Sequence, residues 1–172
     1  MSALRGATLT EVIVAVSIAM LVAAAVAIPT YMLVARARAA RDAAEALAQD
    51  ISLLERTAQN GVAMQGATLE IDSASPLIYS CYHGRPDYLD PKTTLGTLIV
   101  KRTFADVALG EGPINSSTPL LFASNGSAQY FDGTQWVDQH SPPIAFTLSR
   151  ITDPQHPVAV TLNMFTGEVT AP

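Results

Sequence analysis

Cysteine is nearly absent: the 172 residues contain one, Cys81, which excludes an intrachain disulfide and a thiolate metal cluster. Its simplest reading is a small apolar residue within a strand. Catalytic signatures are lacking as well. There is no Gly-x-Ser-x-Gly elbow, no phosphate-cradling glycine-rich loop with lysine, and no His-Glu-x-x-His helix. His83, His140 and His156 all stand in Gly- or Pro-containing stretches that read as loops. Cys81 and His83 share a face if their strand runs straight, but one such pair is more simply coincidence than a nucleophile with its base. Asp87 and Asp90, between Pro86 and Pro91, supply too few oxygens for calcium, which wants six or more, and read as a solvated acidic loop. No enzyme, cofactor or metal site is expected.

Positive charge is scarce too. The net charge is −5, and from Arg36 onward nine basic residues stand against fourteen acidic ones. A nucleic-acid binder gains affinity mainly by pairing Lys and Arg with phosphates, so this balance disfavours DNA as a partner.

Charge of either sign is missing altogether from residues 12–35, a run of 24 residues. As a helix it spans roughly 36 Å at 1.5 Å per residue, enough for the ~30 Å hydrocarbon core of a bilayer. Glu11 heads this run, although an ionised carboxylate in a bilayer costs on the order of 2.5–3.5 kcal/mol. Arg5 precedes the run and argues for a cytoplasmic leader, while Arg36, Arg38 and Arg41 argue by charge count for the reverse.

The heptapeptide Gly6-Ala7-Thr8-Leu9-Thr10-Glu11-Val12 resembles the processing signal of type IV prepilins and pseudopilins: a short basic leader ending in Gly, then an uncharged helix with Glu as its fifth mature residue. The resemblance implies cleavage between Gly6 and Ala7 by a prepilin peptidase and N-methylation of Ala7. It implies residence in the bacterial inner membrane as a single-pass protein with a periplasmic carboxy-terminal domain. An inner-membrane assembly platform would then move the subunit into a hetero-oligomeric filament with other pilins or pseudopilins. Ala7 stands where the family usually has Phe, and Pro29 lies one residue farther from Glu11 than the usual proline. Two plainer readings remain: a simple membrane anchor, and a secretory signal cut at Ala25-Val26-Ala27.

Glu11 acquires a physical role in this reading. A free amine and a carboxylate, each costly in an apolar filament core, become tolerable when paired, so Glu11 of an incoming subunit would neutralise a neighbour's amino terminus and set the register. Pro29 removes a backbone donor and predicts a kink or a locally unwound stretch. Beyond it, Ala40, Ala44, Leu47, Ile51, Leu54 and Ala58 recur at threes and fours, which predicts one amphipathic helix ending at Asn60-Gly61.

The remaining sequence reads as strands at 68–72, 77–82, 97–105, 120–123, 128–131, 134–137, 144–149 and 158–164, with a last short segment at 167–169. Asn125-Gly126 and Asp132-Gly133 are hairpin turns. Residues 152–157 read as a hairpin loop and 110–119 as a longer one. Leu121 to Ser127 and Thr166-Gly167-Glu168-Val169 look like the GspH and FimT group of minor pseudopilins. Some FimT-type proteins bind DNA through arginines beside that last glycine, where this chain has Glu168. Trp136 reads as a hairpin core or rim residue.

The expected fold is therefore α+β: a long amino-terminal transmembrane helix, the pilin spine, packed on a carboxy-terminal antiparallel β-sheet domain. Its divisions are a prepilin leader peptide at 1–6, a membrane or filament-core half-helix at 7–35, an amphipathic half at 36–61, and a globular sheet domain at 62–172. The expected function is a minor subunit of a type IV pilus or a type II secretion pseudopilus. The alternative is a minor pilin whose loops bind DNA or a secreted substrate.

Overall fold

The computed structural model describes residues 9–60, 66–86, 94–115, 118–132, 134–137 and 143–171. The chain divides into two units, Met1–Arg38 and Ala39–Pro172, and the fold is α+β. Helix α1 runs Leu9–Asn60, 52 residues, and contributes to both. Leu9–Ile28 is apolar, long enough to cross a membrane, and exposed throughout. Such a helix is consistent with a single-pass membrane anchor or a signal sequence. Helical geometry continues through Pro29, since losing one donor does not break a turn flanked by strong helix formers such as Ala27.

In the second unit, α1 buries one stripe. Ala40, Ala43, Ala44, Leu47, Ile51, Leu54 and Ala58 are all buried, the periodicity read from sequence, while Asp42, Glu45, Gln49 and Arg56 face out. Full burial of Leu47, Ile51 and Leu54 contributes about 1.5–3 kcal/mol each. The exposed Arg41–Glu45 pair at 3.2 Å adds only a few tenths of a kcal/mol.

The strands are β1 (Ala67–Ala74), β2 (Leu77–Pro86), β3 (Thr94–Phe104), β4 (Val107–Leu109), β5 (Leu120–Phe122), β6 (Ala128–Phe131), β7 (Trp136–Val137), β8 (Ile144–Arg150), β9 (Asp153–Leu162) and β10 (Val169–Thr170). They form two sheets, ordered β3-β2-β1-β5-β6-β7 and β10-β9-β8-β4, with every described pairing antiparallel. Leu69, Ile71, Leu77, Tyr79, Cys81, Leu120 and Phe122 from the first sheet share one core with the stripe of α1 and with Val107, Ile144, Phe146, Leu148, Val160 and Leu162 of the second. The backbone N–H of Ala128 donates to the carbonyl of Met164 at 2.9 Å, joining the segments that lead into the two sheets.

Several boundaries differ from the sequence reading, each for a local reason. β4 was not foreseen, since three residues carry no period and its strand character comes from pairing with β8 (Val107 with Arg150, Leu109 with Leu148). Residues 153–157 belong to β9 rather than to a loop. The ladder goes from Leu148–Val158 straight to Arg150–Asp153, so Pro154 and Pro157 fall in the bulged part, where a missing donor does no harm. β2 continues past Tyr82 because Gly84 faces Gly96 across the ladder, and a Cβ on Gly96 would collide with the carbonyl oxygen of His83. β7 is shorter than 134–137 because Asp132 Oδ1 accepts from the N–H groups of Thr134 and Gln135, both at 2.8 Å, and holds them in a turn.

Candidate functional site

The candidate functional stretch is the head of α1. Glu11 lies in its first turn, where the partial positive charge of a helix start favours a carboxylate. Thr10, Glu11, Val14, Ala15 and Ile18 line an open depression of about 350 Å³. Ser17 Oγ donates to the carbonyl of Ile13 at 2.8 Å, so this hydroxyl is satisfied within the helix and adds little polarity to the surface. Leu9, Ile13, Met20, Leu21 and Val26 are all more than half exposed. A helix apolar on every side requires a membrane or other apolar helices around it. Gly6 and Ala7 lie outside the described residues; Glu11 and Pro29 share the one helix.

The other end of α1 holds a second constellation. Gly126 at φ 84° and Gly167 at φ 73° occupy the left-handed region that glycine adopts without steric cost. A Cβ on Gly126 would stand 2.9 Å from Gln59 Nε2, and one on Gly167 would stand 2.8 Å from both Glu55 Cδ and the Gly126 carbonyl oxygen. The turn at Asn125-Gly126 and the turn at Thr166-Gly167, distant in sequence, thus meet on the last turns of α1. Side chains hold both turns. Asn125 Oδ1 accepts from Ser127 N at 3.0 Å and from its hydroxyl at 2.7 Å. Asn163 Oδ1 accepts from Phe165 N at 2.9 Å and Thr166 N at 3.2 Å.

Sequence reasoning missed two polar clusters. Asp50 is buried on the helix stripe, three residues after Leu47, and that offset was the available signal. Its carboxylate accepts from Tyr79 Oη at 2.9 Å and from Arg102 Nε and Nη2 at 3.0 and 3.2 Å, which ties α1 to β2 and β3 across the core. Burial and the Asp50 charge push the Tyr79 hydroxyl well above its ordinary pKa. On the opposite face of the sheet, Asp72 Oδ2 accepts from Lys101 Nζ at 2.7 Å and from Ser80 Oγ at 2.8 Å. Glu70 is half-buried beside them, and burial together with the Asp72 charge raises its pKa from 4.5 to about 7.

The other singled-out side chains have structural places. Cys81 is buried, and burial, reinforced by Asp50, pushes its thiol up to about 12, so it is neither a thiolate nor reachable at neutral pH. Trp136 lies at the rim of its hairpin with its ring 5.7 Å from that of Phe131. His156 is exposed and within 3.1 Å of Asp153. His140, Asp87 and Asp90 lie outside the described residues. Comparison with protein-family models, with curated proteins and with solved structures gave no match.

Proposed function

We propose that this chain is a minor pilin or pseudopilin, a structural subunit of a type IV pilus or of a type II secretion pseudopilus, held in the inner membrane and then in the filament by the first half of α1. The observation that carries this reading is the exposed apolar helix Leu9–Ile28 with Glu11 in its first turn. A plain anchor has no use for a carboxylate that costs on the order of 2.5–3.5 kcal/mol in lipid. In a filament the same carboxylate pairs with a neighbour's amine. The subunit is cut between Gly6 and Ala7, Ala7 is methylated, and the assembly platform draws the helix out of the bilayer as Glu11 pairs with a neighbour's amine.

The test is the mass of the mature amino terminus after co-expression with a prepilin peptidase. A chain beginning at methylated Ala7 is expected. An intact Met1, or a start after Ala27, overturns the reading in favour of an anchor or a secretory signal. Glu11→Val is expected to insert in the membrane at wild-type level yet fail to enter filaments.

A further inference from the structure

Asn125 is exposed, while the residue after it, Gly126, is buried. Asparagine followed by glycine is prone to spontaneous deamidation, because no Cβ on the glycine shields its backbone nitrogen. That nitrogen gives its proton to a solvent base and attacks Asn125 Cγ. The Cγ–Nδ2 bond breaks, ammonia leaves with a proton from water, and a cyclic imide forms. Water then opens the ring at either carbonyl, giving aspartate or isoaspartate. The attack needs an amide proton that base can remove and a carboxamide free to turn.

The closed turn withholds both. Gly126 N donates to the Ala123 carbonyl at 3.0 Å, so its proton is committed. Asn125 Oδ1 accepts from Ser127 N at 3.0 Å and from the Ser127 hydroxyl at 2.7 Å, which fixes the carboxamide. The Ala128 N–H is held by the Met164 carbonyl at 2.9 Å, so the chain beyond the turn is pinned as well. Base therefore reaches the Gly126 amide only when the turn opens. Closure also tolerates no added atom, since a Cβ on Gly126 would stand 2.9 Å from Gln59 Nε2. Isoaspartate carries the backbone through the former side chain and so adds a methylene just before Gly126. We propose that Asn125 is a deamidation site that the closed turn keeps silent, and that its conversion to isoaspartate is a one-way release of this turn from the end of α1. The site lies in the sheet domain and is independent of the fate of the amino-terminal helix.

The experiment incubates the full chain in detergent micelles in mildly alkaline buffer, folded or unfolded by urea, and follows Asn125 by peptide mass mapping. Conversion is expected to be about tenfold or more slower in the folded chain. Ser127→Ala, which lacks the hydroxyl clamp, is expected to convert faster than the unaltered chain when folded and at the same rate in urea. The converted chain, separated by its added negative charge and refolded, is expected to exchange the Ala128 amide about tenfold or more faster than the unconverted one. Asn125→Asp keeps an acceptor and the ordinary backbone, so its exchange is expected to stay near that of the unaltered chain. Equal conversion rates in the folded and unfolded chain overturn the proposal, as does a folded rate unmoved by Ser127→Ala. Ala128 exchange that is unchanged by conversion, or raised as much by Asn125→Asp, overturns it too.

Discussion

The two halves of α1 are both alanine-rich helix and both lack interior glycine, yet they answer to different solvents. In Leu9–Ile28 every residue is exposed and the apolar character has no side. Between residues 39 and 60 the apolar residues keep to one stripe, and that stripe is buried against two sheets. Helix propensity therefore accounts for neither location. The angular distribution of apolar side chains decides whether a turn of helix is completed by its own chain or by something outside it. Carboxylates follow the same division. Asp50 is buried in the core with Tyr79 and Arg102, whereas Glu11 is exposed.

The sharpest way to break this comparison is to truncate one leucine in each half. Leu47→Ala removes a fully buried side chain and is expected to lower the unfolding free energy of the sheet domain by about 2–5 kcal/mol. Leu21→Ala, at a position 71% exposed, is expected to stay within about 0.5 kcal/mol. Urea unfolding of the full chain in micelles, followed by Trp136 fluorescence, reads both. Equal losses would mean that the first half also packs on the domain.

Next in size is Asp50→Leu, which leaves the Tyr79 hydroxyl and the Arg102 guanidinium without their shared acceptor. Breaking a fully buried pair costs 3–5 kcal/mol, but the Arg102 side chain is 44% exposed and water recovers part of that, so about 2 kcal/mol is expected. Arg102→Met in the same background is expected to cost almost nothing further, and the double-mutant cycle measures the coupling. Gly167→Ala follows at about 1–2 kcal/mol, from the left-handed φ and the close approach to Glu55. The same change at Gly110, whose neighbour across the gap is Thr147 at 3.2 Å, is expected to cost less because its backbone carries no positive-φ demand.

The sequence made the helix, its buried stripe and most strands legible because each carries a period or a turn signal within a dozen residues. β4 and the start of β9 were not legible, since both are defined by partners: β4 by β8, and the bulged prolines Pro154 and Pro157 by the absence of any partner opposite them. The meeting of Gly126 with Gly167 was legible only in part. Each glycine announced a turn, but nothing local says that two turns some forty residues apart close on Glu55 and Gln59. Asp50 went unseen because a charged residue inside an apolar stripe reads as an interruption until Tyr79 and Arg102 are brought to it.

The smallest expected effect tests the outer face of the first sheet. Glu70 has its folded pKa raised from 4.5 to about 7, first by burial and then by Asp72. The folded state therefore holds the proton more tightly than the unfolded chain, and this contribution to stability is fully present below pH 4.5 and lost as pH rises through 7. The half-exposed setting screens the effect to about 1 kcal/mol. Glu70→Gln cannot ionise, so its unfolding free energy is expected to lose that fall between pH 4.5 and 7 while keeping the wild-type trend elsewhere. Asp72→Asn removes the second cause of the shift and is expected to move the midpoint of the wild-type fall to lower pH. A midpoint unmoved by Asp72→Asn would leave burial as the whole cause and separate Glu70 from the Lys101–Ser80–Asp72 cluster.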